Sequence, residues 1–367
     1  MKAVYSAAHL AHDVVVETFL GEPIPANEVA DRAERIKSTL EQDGGFEFLG
    51  PTPHGTEPIL AVHDPGLVRF IDEAWAEHLR QAIPRRFLTA DTYPTFRMFE
   101  GMSAEAVASI REPTAVGGRA GWWGLDTANP ILPGTASAAR AAVDVALTVV
   151  DLALGGEAAA YGLCRPPGHH AGRAMAGGYC FFNNAAIAAE AIARRGGDRV
   201  AVLDVDFHHG NGTQQIFWRR DDVLYASLHA DPDRQYPFFL GRADELGEGP
   251  GRGRNLNVPL PAGTDDAAYL RALEPALETI ARFRPAVVVV SLGHDTYALD
   301  PIGDLALTTP GYHDIGRTVA ALGLPLVILQ EGGYADAALG ANVTAWLRGA
   351  TSTAAKPTSR MVPGTIR

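Results

Sequence analysis

The run Arg199-Val200-Ala201-Val202-Leu203 has the apolar, β-branched character of a strand buried on both faces. Strands of that kind belong to parallel sheets covered by helices on either side. This one leads straight into Asp204-Val205-Asp206-Phe207-His208-His209-Gly210-Asn211-Gly212. In extended chain Asp204, Asp206 and His208 project to the same side. Asp206 and His208 therefore form a metal-binding pair on a rigid element, with Asp204 beside them. Open α/β sheets place their ligands just outside the carboxyl ends of strands, which is where these residues fall.

The rest of the chain repeats that rhythm. Met1 to Tyr5, Ala160 to Cys164, Val223 to Leu228, Ala286 to Ser291 and Pro325 to Leu329 all read as strands. Between them, helices are expected over Ala138–Leu154 with Ser137 as its cap, and over Asn184–Arg195 capped by Asn183. Further helices are expected from Gly212 to Arg219, from Asp265 or Asp266 to Arg282, and from about Tyr312 to Ala321. The stretch from Arg85 to Thr135 breaks the pattern with Pro, Gly and aromatic residues, and a long irregular insertion of that kind is usually functional.

No Ser/Gly/Pro-rich linker and no repeat divides the 367 residues. One domain over residues 1–350 is expected, with a polar tail from 351 to 367. The formal net charge of -12 argues against a nucleic-acid partner. It reads first as solubility and second as attraction for cationic substrates. No apolar stretch is long enough to span a membrane, and the N-terminus lacks a signal-peptide apolar region. Cys164 and Cys180 do not make a disulfide framework, so a cytoplasmic protein is expected.

Each expected strand in the middle of the chain ends in chemistry. After Cys164 comes Arg165-Pro166-Pro167-Gly168-His169-His170. Asp204, Asp206 and His208 follow the next strand, Gly293-His294-Asp295 a third, and Gln330-Glu331-Gly332-Gly333-Tyr334 a fourth. A parallel sheet would gather all four at one edge. Asp206, His208 and Asp295 would then bind one divalent metal and leave a coordination position open, as a catalytic zinc requires. His169 and His170 would move protons, and Tyr334 would donate to a developing oxyanion. Together these groups make a set for amide hydrolysis.

The motifs Arg165 to His170, Asp204 to Gly212 and Glu331-Gly332-Gly333-Tyr334 resemble those of the zinc-dependent histone deacetylase family, in particular its bacterial acetylpolyamine amidohydrolase branch. The likeness runs from Met1 to about Gly349 and includes Gly178-Tyr179-Cys180-Phe181-Phe182-Asn183-Asn184. It implies the arginase–deacetylase fold, a central parallel sheet of about eight strands flanked by helices on both faces. Carried over, it makes Asp206, His208 and Asp295 the zinc ligands and His170 the general base and acid. His169 becomes its partner, Asp204 holds His169, and Asn211 holds His170. An Asn in that place lowers the basicity of His170 relative to an Asp. Tyr334 is the carbonyl-polarising residue. The resemblance further implies a structural potassium held by the side chains of Asp204 and Ser227 and by the carbonyls of Asp206, His208 and Leu228.

An arginase-like dimetal site is the rival within this fold. It needs further acids two residues beyond His208 and Asp295, where this chain has Gly210 and Tyr297. One metal is the stronger reading. The resemblance makes Tyr179 and Phe239 the walls of a substrate tunnel and Ile302 its rim, with Phe19 also expected near the rim. It makes the insertion a homodimer contact that narrows the entrance and carries acids for a cationic chain. Gly117 and Ala128 stand where those acids would fall, and Asp126 is the nearest carboxylate. Trp122 and Trp123 suit a dimer contact or a pocket wall equally. His294 is either a hydrogen-bond donor to the site or a space filler. The expected function is a zinc-dependent deacetylase of small N-acetylated amines. The alternatives are a protein or peptide lysine deacetylase, a deacylase of other small amides, and a non-catalytic binding module.

Overall fold

The computed structural model describes residues 1–19, 21–81, 86–196 and 198–352, with Phe19 described by its backbone alone. Its strands are β1 (Lys2–Val4), β2 (Val16–Phe19), β3 (Glu22–Pro25), β4 (Glu47–Leu49) and β5 (Ala159–Gly162). They continue with β6 (Val200–Asp204), β7 (Val223–Ala230), β8 (Asn255–Leu260), β9 (Val287–Leu292) and β10 (Leu326–Gln330). Eight of them form one sheet in the order β4-β1-β5-β10-β9-β6-β7-β8. Every pairing in that sheet is parallel. β2 and β3 make a separate antiparallel hairpin in which Glu17 faces Ile24.

Alternate residues of the central strands feed two cores. Val200, Val202, Val289 and Val327 pack on one face with helices Thr135–Leu154 and Asn184–Gly196. Leu203, Val288, Val290 and Ile328 pack on the other with helices Asp31–Asp43, Asp266–Phe283, Thr309–Ala320 and Asp336–Ser352. Burial on both faces is why these strands are apolar throughout instead of alternating.

Most expected elements stand within a few residues of their reading. Asn183 caps its helix by accepting the Ala186 N–H at 2.8 Å, and Asp265 accepts from Ala268 N at 2.8 Å. Ser137 is a correction. The long helix begins at Thr135 with Gly134 as its cap, and Ser137 sits inside the first turn, its hydroxyl donating to the Gly134 carbonyl. The helix starts earlier because the Thr135 hydroxyl already closes the preceding turn, accepting from Leu132 N at 2.8 Å. The last helix extends to Ser352, beyond the expected start of the tail at Thr351. The rest of that tail, like Arg85 at the insertion's expected start, lies outside the described residues. No helix among the described residues is long and apolar enough to cross a membrane.

A buried ion cluster locks the N-terminal segment beneath the sheet's functional edge. Glu28 accepts from Arg165 Nε and Arg32 Nη1, each at 2.8 Å, and all three residues are buried. Burial pushes the Glu28 carboxyl up, but Arg165 and Arg32 overcome it and hold the group below its usual range. Removing the one anion would leave two guanidinium groups without a countercharge. Glu28→Gln is expected to cost about 3–5 kcal/mol of unfolding free energy, read from urea denaturation. A loss below about 1 kcal/mol, the surface-pair range, would refute this account.

Candidate active site and metal centre

The four strands that end in chemistry, β5, β10, β9 and β6, are immediate neighbours in that order. Asp206 and His208 leave the end of β6, and Asp295 leaves the end of β9. One ligand atom from each lies within 4.8 Å of the other two. His208 Nδ1 is 3.0 Å from Asp295 Oδ2 and 3.4 Å from Asp206 Oδ1. Backbone N–H groups hold the carboxylates in place. Gly332 donates to Asp206 Oδ2 at 2.8 Å, and Phe207 donates to Asp295 Oδ1 at 3.0 Å.

This donor set suits a divalent cation. Burial, then the neighbouring Asp206, pushes Asp295 up to about 7. Two facing carboxylates with so little water need positive charge between them. His208, although buried, is drawn up to about 9 by Asp206 and Asp295. Two carboxylates and one imidazole are the three protein ligands of a catalytic zinc site, whose fourth position is left to water or substrate. A Cβ at Gly210 would overlap Asp204 Oδ2. An acid there would require the backbone to move, which agrees with a single-metal site.

The adjacent histidines are given different partners. His169 Nδ1 donates to Asp204 Oδ2 at 3.1 Å, and its Nε2 lies 3.7 Å from Asp206 Oδ1. Burial opposes charge on His169, but Asp206 and Asp204 win and raise it to about 10. His170 Nδ1 donates to Asn211 Oδ1 at 2.7 Å, which leaves Nε2 with the lone pair. Burial, and then the neighbouring His169, drive His170 well below its ordinary value. The two adjacent imidazoles thus sit in opposite electrostatic surroundings.

Tyr334 is positioned through its main chain, its N–H donating to Asp300 Oδ2 at 2.7 Å. The Arg32 guanidinium lies 4.5 Å from the centre of its ring. Burial pushes the phenol well up, and Arg32 opposes that shift. A phenol kept protonated is a hydrogen-bond donor. Tyr179 meets Tyr334 edge to face at 5.8 Å. Ile302 is half-buried, its N–H bound to Asp300 Oδ1 at 3.1 Å. Ser227 pairs with Asp204 across β6 and β7, and Leu228 follows it, fully buried.

Phe239 does not join the site: its side chain is 81% exposed. The aromatic that does is Tyr236, whose ring lies 4.9 Å from His170 and 6.0 Å from His208. Sequence spacing could not choose among Tyr236, Phe238 and Phe239, because an irregular loop has no fixed side-chain period. Trp122 and Trp123 pack against the core, and Trp123 Nε1 donates to Glu112 at 2.8 Å. Trp123 is buried there, while Trp122 keeps part of its side chain at the surface. Asp126 is committed to protein donors, Gly178 N at 2.9 Å and Tyr236 Oη at 2.6 Å. Neither ring nitrogen of His294 has a hydrogen-bond partner among the described residues. Burial drives that group down to about 3, and its ring packs 4.9 Å from Tyr312 as a neutral filler. The Phe19 side chain lies outside the described residues.

Two further acids near the site escaped sequence reading. Glu331 accepts Gly168 N at 2.6 Å and His169 N at 3.3 Å, and so anchors the loop that carries both histidines. Glu17 lies on the hairpin, nearly buried, with Asn27 donating to its Oε1 at 2.6 Å. The place of Glu331 in the fourth cluster was its only signal. Glu17 had none.

A profile of the histone deacetylase domain matches residues 26–350. The chain is 42% identical over 349 residues to an acetylpolyamine amidohydrolase of Mycoplana ramosa, covering 95% of this chain and 99% of that protein. Acetylpolyamine amidohydrolase 1 of Pseudomonas aeruginosa is 43% identical, with 95% and 98% covered. The crystal structure of an acetylpolyamine aminohydrolase from Burkholderia pseudomallei matches with a TM-score of 0.86 at 37% identity, covering 95% of this chain and 98% of that one. With the profile spanning most of the chain and these relatives matched nearly end to end, the protein belongs to the histone deacetylase family and is an enzyme that hydrolyses acetyl amides.

Proposed function

We propose that the protein is a zinc-dependent deacetylase of small N-acetylated amines, with acetylpolyamine-like chains as its substrates. The observation that carries this reading is the convergence of Asp206, His208 and Asp295 beside two histidines of opposite electrostatic character. Zinc on that triad supplies Lewis-acid chemistry, polarising a carbonyl and acidifying water. His170 Nε2 takes the proton of the attacking water and returns one to the leaving amine. His169, held by Asp204, keeps positive charge beside the reaction. Tyr334 donates to the oxyanion as it forms. Asn211 fixes the tautomer of His170. A structural potassium held by Asp204, Ser227 and the carbonyls of Asp206, His208 and Leu228 would steady the end of β6. We read residues 1–350 as one catalytic domain in a cytoplasmic protein.

Glu17 supports a cationic substrate. Its Oε2 has no hydrogen-bond partner among the described residues. Burial raises its carboxyl, while Tyr179 and then Asn27 favour the charged form. A carboxylate beside the expected tunnel wall suits a chain that carries an ammonium group beyond its amide. The insertion supports a homodimer, because it presents Phe96 and Met98, 79% and 62% exposed, for a partner subunit to cover.

Four results are expected. His170→Ala should lower kcat/KM by at least about 10²-fold while zinc content stays stoichiometric; retained activity would remove His170 as the base. Chelation should abolish turnover and added zinc restore it. On a panel of acetylpolyamines and neutral acetamides, Glu17→Gln should lower kcat/KM for the cationic substrates about tenfold more, the worth of a charged hydrogen bond. Equal losses would exclude cation recognition by Glu17, and comparable turnover of an acetyl-lysine protein would exclude the small-amine preference. In sedimentation, the wild type should be a dimer and Phe96→Glu/Met98→Glu a monomer. A monomeric wild type would remove the dimer.

A further inference from the structure

We infer that Asp126 is a positioning residue for His170, through which the insertion helps build the wall of the catalytic site. This rests on the reading of His170 as the general base.

The insertion is stitched to the segment that precedes the helix Asn184–Gly196. Leu125 N donates to the Ala176 carbonyl at 2.8 Å, and Ala176 N donates to the Trp123 carbonyl at 2.8 Å. Asn129 then brackets the next turn: its Oδ1 accepts from Tyr179 N at 2.8 Å and its Nδ2 donates to the Cys180 carbonyl at 2.6 Å. That bracket holds Tyr179 at a φ of 68°, in the left-handed region that side-chain-bearing residues avoid.

Asp126 works inside this frame with two arms. Its Oδ2 accepts from Gly178 N at 2.9 Å and from the Tyr236 hydroxyl at 2.6 Å, while Oδ1 accepts from Ala128 N at 2.9 Å. Both arms end on the same imidazole. A Cβ at Gly178 would overlap His170 Cδ2, so the backbone there is in direct contact with the ring. From the other arm, the Tyr236 ring stands nearly perpendicular to His170, at 87° and 4.9 Å. Asn211 fixes only Nδ1 of His170. A single hydrogen bond leaves the ring free to swing about it, and the contacts through Gly178 and Tyr236 remove that freedom. With its oxygens already accepting three protein donors, Asp126 is poorly placed to serve as an anchor for a substrate ammonium. Its effect should fall on kcat and not on substrate affinity, because a misplaced base slows chemistry without altering ground-state contacts.

The test is steady-state kinetics on an acetylated diamine with zinc-replete Asp126→Ala, Asp126→Asn, Tyr236→Phe and the Ala/Phe double variant. Asp126→Ala should lose about 10²-fold in kcat, with KM changed less than about threefold and zinc content unchanged. Asp126→Asn should recover part of the loss, since an amide oxygen in the place of Oδ2 still accepts from Gly178 and Tyr236. Tyr236→Phe should fall between wild type and Asp126→Ala, and the double variant should be no slower than Asp126→Ala, because both changes cut the same arm. A KM effect with intact kcat, multiplicative losses in the double variant, or zinc loss in step with activity would overturn the inference. If Asp126→Ala does not fold, wild-type kcat in both Asp126→Asn and Tyr236→Phe overturns it. An inactive His170→Ala beside fully active Asp126 and Tyr236 variants would sink this inference alone, whereas an active His170→Ala would sink the base assignment beneath it.

Discussion

Asp204, Asp206 and Asp295 are buried at the ends of two adjacent parallel strands, with almost no water to solvate them. Much of the surrounding architecture answers that constraint. Backbone N–H groups from Phe207, His208 and Gly332 point at the carboxylates, and His169 and His208 sit against them. Charge that remains is available to a dication, so metal affinity and fold stability draw on the same electrostatics. Arg32 extends the pattern, reaching the carbonyls of Glu331 and Gly333 while its guanidinium lies on Tyr334.

The same buried charge separates the two histidines. They are neighbours in sequence with rings 4.0 Å apart, and in water they would be alike. One hydrogen bond to a carboxylate and one to an amide make them unlike. A charged imidazole beside a neutral one also discourages protonation of the second, which suits it to act as a base. Glu331 secures the geometry by holding the backbone before both rings.

Legibility in the sequence followed periodicity. Strands β5, β6, β9 and β10 are buried on both faces and carry unbroken apolar runs, so they could be read, and their polar ends with them. β8 is an edge strand that reads Asn255-Leu256-Asn257-Val258-Pro259-Leu260. Its asparagines and proline suit an edge and hide it from a search for apolar runs. β4 and the β2–β3 hairpin are too short to show a period. The insertion gave the poorest reading because its side chains are set by contacts with residues about 50 to 110 positions away, as Asp126 is with Gly178 and Tyr236.

From the sequence alone came the parallel sheet, the candidate metal triad, the paired histidines and Tyr334, each at a short offset from a strand end that strand geometry carries into space. The pairing of His169 with Asp204 and of His170 with Asn211 came from the family resemblance. Only the tertiary structure decided that Tyr236 and not Phe239 faces His170, that Asp126 is bound to the protein, and that Glu17 stands nearly buried beside Tyr179. Those residues sit in loops and a short hairpin, where backbone direction is set by distant hydrogen bonds instead of a repeating local geometry.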